Sequence, residues 1–357
     1  MNYKYLLALN HHSQIGSGTL RKILAVCPDP AIFWNHKKYD KEKLGTKIVN
    51  LINECVTQFD PDEIIADLIQ RDIGFVTVFD KEYPVLLKST PDCPVILYIR
   101  GDIAAIHRKS IAVVGSRKFT IYGKNSAYKL AGECAKSGLG IISGLALGID
   151  TWAHQAALDA GGITVAVLGN GLDEIYPASN YRLGTDILKS DGAIISEFPP
   201  GTIPTKFNFP MRNRIIAGLS LGTLVVEAAS SSGALITAYQ ALDYNRDVFA
   251  VPGNINSEVS VGTNRLIQEG AKLVTSGEDI LVELGIKSKL SPETAKVVEP
   301  EGDSEKIIYN ILKVGEMPID QIVQMSKMNI ISINATISMM ELKGLIVNAG
   351  GGRYKIL

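Results

Sequence analysis

The sequence predicts an α/β protein whose central part is a doubly wound parallel sheet. Between residues 73 and 285, short β-branched runs alternate with segments whose apolar residues recur at helical spacing. Several runs are apolar throughout, which is typical of strands covered by helices on both faces. Strand and helix alternating in this way indicate a parallel sheet. The predicted strands are Phe75–Val78, Val95–Arg100, Ile111–Gly115, Leu139–Ser143, Ile163–Leu168, Ala193–Glu197, Leu224–Ala228 and Val248–Val251.

The first 72 residues predict a helical domain of their own, similar to SAM or helix-hairpin-helix domains. A turn at residues 16–18 separates two apolar segments of helical spacing. Further on, Asp60 is placed to cap a helix that has Pro61 at its first position. A helix–turn–helix pair of this kind contacts the DNA backbone in some proteins, but packing alone also explains it.

The C-terminal part predicts a linker followed by a winged-helix domain. Residues 286–303 lose apolar periodicity and gain charge and proline, as linkers do. From residue 304 to residue 357, three segments of helical spacing precede a glycine-rich turn at 348–352 and a short final run. Winged helices of this pattern read DNA in some proteins and bind other proteins elsewhere, so both roles stay open.

Composition limits the classes of function. The 357 residues are 46% hydrophobic and 20% charged, and the formal net charge is -1. Any anion site is therefore a local patch, not a generally basic surface. The four cysteines form no C-x-x-C and the five histidines no H-E-x-x-H, so we expect no metal and no other cofactor. No apolar stretch approaches the ~18 residues that span a bilayer, and we expect a cytoplasmic protein without a membrane segment.

Loops at the ends of the predicted strands are rich in glycine and small hydroxyl residues. In an open α/β sheet, ligands bind beyond the carboxyl ends of the strands, where free N–H groups of helix N-termini face outward. Glycine allows an oxyanion to approach the backbone, and arginine offers a planar fork that fits phosphate. Several such loops on one edge predict an anion site. Its candidate residues are Gly115, Ser116, Arg117, Ser143, Gly144, Gly169, Gly171, Ser232 and Gly233.

This anion site does not match those for dinucleotides or nucleoside triphosphates. The segment Gly115–Thr120 lacks the second and third glycines of G-x-G-x-x-G. The next predicted strand ends in Ser143-Gly144, without the acidic residue that binds a ribose. The sequence also lacks a G-x-x-x-x-G-K-[ST] motif.

A segment without acidic residues extends between Glu197 and Glu227 and interleaves basic residues with phenylalanines. This composition favours single-stranded nucleic acid, because cations follow the backbone while a ring stacks on a base. The alternative is that the phenylalanines belong to the core and that an arginine forms a structural ion pair. The candidate contacts in this segment are Lys206, Phe209, Arg212, Asn213 and Arg214.

No residue pattern predicts a catalytic site. His154 follows small residues early in a predicted helix and is interpreted as a structural histidine. Asp150 is expected to be the N-cap of that helix. Asp173 and Glu197 end glycine-rich loops and could flank a ribose, but nothing places a nucleophile or a metal beside them.

Several motifs together resemble the DprA/Smf family of DNA-processing proteins. The resemblance extends over residues 73–285 and implies a Rossmann-like sheet flanked by a helical and a winged-helix domain. The motifs are Ser143–Asp150 with His154, Ala166–Asp173 with Tyr176-Pro177, Ser196–Thr202, Phe209-Pro210 with Arg212–Ser220, and Val248–Gly253.

The resemblance implies a dimeric protein without enzymatic activity. Such a protein holds incoming single-stranded DNA and helps a RecA-type recombinase to load during natural transformation, the DNA uptake of competent cells. It implies that Arg117 grips phosphate, Lys206 contacts the backbone and Phe209 packs on a base. Many relatives place a basic residue directly after the Tyr-Pro pair, where this chain has Ala178. Arg182, one helical turn later, is a candidate replacement.

Two alternatives remain at this point. Related Rossmann-like proteins cleave the N-glycosidic bond of nucleoside monophosphates with an arginine and a P-G-G-x-G-T-x-x-E loop. The corresponding loop here, Ala229–Ala234, lacks the glutamate. The second alternative is an adaptor that works through its winged helix and leaves the site on the sheet unused.

Overall fold

The computed structural model describes residues 3–36, 40–287 and 300–356. The chain forms two compact units, Met1–Lys289 and Leu290–Leu357. Most of the predicted linker, residues 286–303, lies outside the described residues. The predicted domain boundary after residue 72 falls within the first unit and stays a prediction.

The first unit begins with helices, as the apolar spacing predicts. Helix α6 starts as expected: the Asp60 side chain accepts a hydrogen bond from the Asp62 N–H at 2.8 Å, and Pro61 occupies the first helical position. Among the described residues of this part, the helices are α1 (Tyr3–His11), α2 (Ser17–Val26), α3 (Ala31–His36), α4 (Lys41–Leu44), α5 (Thr46–Gln58) and α6 (Pro61–Gln70).

A large sheet follows, and all eight predicted strands are present within three residues of their predicted bounds. Its strand order is β1-β2-β6-β5-β4-β3-β7-β8-β9. The α/β class with a doubly wound sheet is thereby confirmed, with one correction: β1 and β2 run antiparallel to their neighbours. The strands are β1 (Gly74–Thr77), β2 (Ile96–Gly101), β3 (Ser110–Val114), β4 (Gly140–Ser143), β5 (Thr164–Val167), β6 (Ala193–Ser196), β7 (Gly222–Val225), β8 (Asp247–Ala250) and β9 (Lys272–Leu273).

Helices cover both faces of the sheet, and apolar clusters lie between the helices and each face. One cluster joins the N-terminal helices to the sheet, with Leu6 and Ile52 packed in the same core as Tyr98 and Ile194. The other lies on the opposite face and includes Val114, Ile216 and Ala238. The helices are α7 (Val85–Lys88), α8 (Ile121–Lys136), α9 (Ile149–Asp159), α10 (Tyr181–Lys189), α11 (Asn208–Leu219), α12 (Gly233–Asp243), α13 (Val261–Gln268) and α14 (Gly277–Glu283), with 3₁₀ turns at Ile103–His107, Ala178–Asn180 and Glu258–Ser260.

The second unit has the predicted winged-helix arrangement. Its three strands pair in the order β10-β12-β11, and Ile308, Ile322, Ile333 and Ile337 form its apolar core. In the described part of the chain, no helix is long and apolar enough to cross a bilayer. The elements are α15 (Asp303–Leu312), β10 (Met317–Pro318), α16 (Ile319–Ser326), α17 (Ile330–Leu342), β11 (Ile346–Gly350) and β12 (Arg353–Ile356).

The strand order creates a switch point between β3 and β7. From β3 the chain continues through β4, β5 and β6 in one direction across the sheet, and then returns to β7 on the other side of β3. The connections beyond these two strands therefore diverge and leave a crevice at their carboxyl ends. Ligands of open α/β sheets bind at such a crevice.

Candidate nucleic-acid interface

A cleft of about 530 Å³ lies at the switch point. The loops after β3 and β7 and the beginning of α11 form its walls. The sequence predicts one site from residues of all three segments, and the structure brings these residues together. The predicted residues that line this cleft are Gly115, Ser116, Arg117, Lys206, Phe209, Arg212, Asn213, Ser232 and Gly233.

The loop after β3 holds Arg117 at the mouth of the cleft. Gly115 has no room for a side chain, because a Cβ there would lie 2.6 Å from the Ile149 side chain. The Ser116 hydroxyl closes the turn by accepting from the Lys118 N–H at 3.0 Å and donating to the Lys118 carbonyl at 2.7 Å. The exposed Arg117 guanidinium lies 5.1 Å from the centre of the Phe209 ring, a cation–π distance.

Phe209 belongs to an aromatic pair, not to the apolar core. Its ring stacks on Tyr176 with centroids 6.0 Å apart and an interplanar angle of 27°. Arg117, Gly144, Gly169, Phe209 and Arg212 are among the residues that line a small cavity of about 50 Å³ beside the larger cleft. A Cβ at Gly169 would lie 3.1 Å from the Phe209 ring, so glycine there lets the ring approach the backbone.

Arg212 is a buried cation behind the aromatic pair. Its guanidinium donates to the carbonyls of Gly144, at 2.6 Å, and Val167. Its Nε–H donates to the Asn213 side chain at 3.1 Å. Burial lowers the pKa of Arg212 to about 10, so it still carries its charge at neutral pH.

Asp150 faces this cation from the first turn of α9, which corrects the prediction that it is an N-cap. Gly148 is the N-cap, with φ at 92°, a backbone conformation that glycine adopts without strain. The buried Asp150 carboxylate instead accepts from the N–H groups of Gly144, at 3.1 Å, and Ala146, at 3.4 Å. Burial raises the pKa of Asp150, and the Arg212 charge opposes that rise.

The loop after β7 forms the opposite wall. The Ser232 hydroxyl caps α12 by accepting from the Ala234 N–H at 3.3 Å. The Asn213 amide donates to the Gly233 carbonyl at 3.2 Å and ties this loop to α11. Lys206 is exposed and lines the cleft just before α11. Backbone N–H groups at a helix N-terminus and an exposed lysine together favour an anion.

Three predicted residues lie outside the cleft and the small cavity. Ser143 is fully buried and donates to the Val113 carbonyl at 2.6 Å. Gly171 packs against Pro199, whose carbonyl oxygen would be 2.6 Å from an added Cβ. Arg214 forms a buried ion pair with Glu197 and donates to the Asp92 carbonyl at 2.6 Å. The structural alternative considered for an arginine of this segment therefore describes Arg214.

Two family models match this chain. Residues 74–285 match the model of DNA recombination-mediator protein A, and residues 291–352 match the DprA winged helix domain. The first match alone includes more than half of the chain. The chain belongs to the DNA recombination-mediator protein A family.

Curated relatives and solved structures agree with this family. The DNA processing protein DprA of Streptococcus pneumoniae is 49% identical over 207 residues, which is 58% of this chain and 73% of that protein. Its Bacillus subtilis counterpart is 43% identical over 241 residues, covering 67% and 80% of the two chains. The S. pneumoniae DprA crystal structure superimposes with a TM-score of 0.67 at 38% identity over 78% of this chain and 97% of that one.

A second DprA structure describes the single-stranded DNA binding mode of the Helicobacter pylori protein. It matches with a TM-score of 0.54 at 30% identity and covers 60% of this chain and 97% of that chain. Membership in the DprA family disfavours the N-glycosidase alternative, whose glutamate the Ala229–Ala234 loop also lacks.

Lys118, Glu258 and Tyr176 also line the cleft or the small cavity of this family member, and the sequence did not predict them. Lys118 adds a second exposed cation next to Arg117, and the basic pair in sequence was a signal for it. Glu258 contributes a carboxylate at the rim. Tyr176 is 33 residues from Phe209 in sequence, and no spacing rule predicts that the two rings stack. Arg182 lines neither cavity: its side chain is 95% exposed and lies 3.9 Å from Asp186.

His154 is a structural residue in this DprA family member, as its small neighbours indicated. The ring is fully buried, hydrogen bonded to the Thr164 hydroxyl at 2.7 Å and to the Leu145 N–H at 3.3 Å. Burial lowers its pKa to about 3, so the ring is neutral at physiological pH. Asp173 accepts from the Gly201 N–H at 2.9 Å, and Glu197 is paired with Arg214. Each of these three groups has a structural partner.

Proposed function

We propose that this protein binds single-stranded DNA in the cleft at the switch point and holds it without changing it chemically. The observation that carries the proposal is the placement of Arg117 over the Phe209 ring in a cleft that Lys206 and glycine–serine loops also line. Cations and N–H groups would hold phosphates, while the aromatic pair would stack a base. The single-stranded DNA binding mode described for the H. pylori relative supports this proposal.

Fluorescence anisotropy with a labelled oligo-dT strand tests the proposal. Arg117→Ala and Lys206→Ala should each weaken binding and flatten the plot of log K against log salt by about 0.7 per lost phosphate contact. Phe209→Ala should cost about 1–3 kcal/mol with little change in that slope. The matched control is Lys109→Ala: this exposed lysine directly precedes β3, whereas Arg117 follows it. Unchanged affinity in all three cleft variants would refute the proposal.

We also propose that the bound strand is handed to a RecA-type recombinase in the cytoplasm during natural transformation. Membership in the recombination-mediator family supports this role. On single strands already coated with single-strand binding protein, the protein should accelerate RecA-dependent ATP hydrolysis. Arg117→Ala should lose this acceleration together with DNA binding. Acceleration that persists in that variant would show that loading of the recombinase does not depend on DNA binding in the cleft.

The absence of enzymatic activity belongs to the same proposal. Incubation with nucleoside monophosphates, followed by chromatography, should yield no free base. The reason is that the sequence lacks the P-G-G-x-G-T-x-x-E loop that carries the glutamate of N-glycosidases. Clear turnover by the wild-type protein that Arg117→Ala abolishes would contradict a purely binding role.

We further propose that the protein acts as a homodimer, as the family resemblance implies. Light scattering on the eluting protein should give twice the mass of one chain. A second subunit would let one complex hold two segments of a strand, which raises the effective affinity. A monomer at micromolar concentration would contradict the proposal.

A further inference from the structure

An aromatic–basic patch extends from the edge of the cleft and is formed by Lys118, which also lines the cleft, with Phe119, Lys124 and Trp152. The Lys124 ammonium lies 3.8 Å from the centre of the Trp152 ring. Phe119 contacts the same ring edge-on, with centroids 6.2 Å apart and an interplanar angle of 70°. Lys118 and Phe119 are exposed, and Lys124 and Trp152 are half-buried, so the patch is accessible to a ligand.

The patch is continuous with the cleft. Lys118 lines the cleft, and Phe119 is the next residue. The start of α9 is held against the same loop, because the Ile149 N–H donates to the Ser116 carbonyl at 3.2 Å. Trp152 follows one helical turn after Ile149. Two residues span at most about 7 Å of chain, so a strand leaving Arg117 reaches Phe119 within one or two nucleotides.

The charge around the patch also suits a phosphate backbone. Residues 110–128, from β3 into α8, contain three basic residues and no aspartate or glutamate: Arg117, Lys118 and Lys124.

Carboxylates on neighbouring elements already have partners. Glu227 accepts from the N–H and the hydroxyl of Thr120. Asp159 accepts from the Tyr128 hydroxyl at 2.7 Å and from Gln155 at 2.8 Å. The Lys124 ammonium, by contrast, lies over the Trp152 indole ring. It can therefore leave the ring and bind a phosphate instead.

We propose that this patch is a second contact surface for the same DNA strand, directly beyond the cleft. Lys118 and Lys124 bind phosphates there, and a base stacks on Trp152 as Lys124 leaves the ring. This inference rests on the proposed function of the cleft. It adds that strands long enough to reach the patch bind more tightly than strands that fill only the cleft.

Tryptophan fluorescence reports directly on this contact, because the chain has two tryptophans, Trp34 and Trp152. In a Trp34→Phe variant, a strand of about 15 nucleotides should quench the remaining emission, and one of about 5 nucleotides should quench it less. If Trp34→Phe does not fold, the difference between the wild-type protein and Trp152→Phe gives the same signal. Equal emission with and without the longer strand, at saturation, would overturn the proposal.

Affinity measurements give an independent test. Lys124→Ala should weaken binding of the 15-nucleotide strand about 5-fold and lower its salt slope by about 0.7, with little effect on the 5-nucleotide strand. The control is Lys129→Ala on the same helix, whose ammonium lies near the Thr275 carbonyl and Glu133.

The outcomes separate the two proposals. If the wild-type protein binds neither strand, the proposed function fails. If Arg117→Ala loses both strands while Lys124→Ala binds both like the wild-type protein, the cleft stands and the second contact fails.

Discussion

Gly144 and Arg212 meet where the backbone after β4 passes directly over a buried guanidinium. A Cβ at residue 144 would lie within 2.5 Å of the guanidinium nitrogens of Arg212. Arg212 cannot withdraw easily, because its buried guanidinium donates to the carbonyls of Gly144 and Val167. Glycine at this position is therefore a requirement of packing.

Gly144→Ala should lower the free energy of unfolding by about 1–3 kcal/mol, because an overpacked buried site must shift to make room. Urea denaturation measures the change. The matched control is Gly233→Ala, where nothing lies within 4 Å of the added Cβ. As Gly233 begins a helix, the control should be neutral or stabilising by up to about 1 kcal/mol. Equal unfolding free energies for the two variants would contradict this account.

Glu197 is a buried carboxylate whose charge depends on Arg214. Burial raises the pKa of Glu197, and the Arg214 guanidinium opposes that rise. Arg214→Met removes the partner and leaves an uncompensated buried charge at neutral pH, which should cost about 3–5 kcal/mol. Without Arg214 nothing in that position opposes the effect of burial, so the pKa of Glu197 rises further. The Glu197 carboxyl then takes up a proton as the pH falls, and the free-energy cost of the buried charge disappears. A raised carboxyl pKa favours the folded state at low pH and disfavours it as the pH rises.

The stability difference between Arg214→Met and the wild-type protein should therefore narrow as the pH is lowered from about 7 to about 5. Urea midpoints at both values measure it. In the background of Glu197→Gln, the effect of Arg214→Met should no longer depend on pH. If Arg214→Met and the wild-type protein, which both retain Glu197, differ in stability by the same amount at a pH of about 7 and of about 5, the cost has another origin.

At the scale of elements, the strands of the sheet were the most predictable feature. Runs such as the one that forms β3 are buried on both faces, so they are apolar throughout and easy to recognise. Pairing direction is different, because β2 is mostly buried like the parallel strands and yet pairs antiparallel with both of its neighbours, β1 and β6. Direction depends on the connections, which local composition does not encode.

The candidate site was predictable to the extent that it follows strand ends. Arg117 and the glycine–serine loops lie where the carboxyl ends of parallel strands meet. The prediction of Asp150 as an N-cap failed, because the tight contact of residue 148 with the Arg117 backbone requires glycine there. Neither that contact nor the stacking of Tyr176 on Phe209 can be predicted from spacing, since both join segments distant in sequence.

Helix α17 of the winged-helix unit has an exposed face that is not suited to phosphates. Ile331, Asn334, Ala335, Ser338 and Met339 are exposed at helical spacing, and the helix contains no lysine or arginine. A helix that enters a DNA groove usually brings basic residues to the phosphates.

We therefore expect Ala335→Glu to leave the affinity for both single-stranded and duplex DNA unchanged. A helix in contact with DNA would bring the added carboxylate close to phosphates and weaken binding by repulsion. Mobility shifts with both kinds of DNA measure the effect, with Ala335→Gln as the uncharged control. If Ala335→Glu weakens duplex binding and Ala335→Gln does not, α17 contacts duplex DNA.

At the scale of the whole molecule, a formal net charge of -1 argues for a small contact surface. The basic residues that line the cleft are Arg117, Lys118, Lys206 and Arg212, and the acidic ones are Asp150 and Glu258. Arg212 is buried opposite Asp150, which leaves three exposed cations to replace counterions on the DNA.

For a short oligo-dT strand, log K should therefore fall with log salt with a slope of about -2, or about 0.7 for each of the three cations. A strand that also reaches Lys124 should give a slope of about -3 by the same reasoning. Anisotropy titrations between about 50 and 200 mM salt measure both slopes. A slope steeper than about -4 for the short strand would mean that cations outside the cleft bind it. The three exposed cations of the cleft would then no longer account for the salt dependence. A near-neutral chain that binds DNA through few ionic contacts must obtain its remaining affinity from stacking, so affinity should stay measurable at the higher salt concentration.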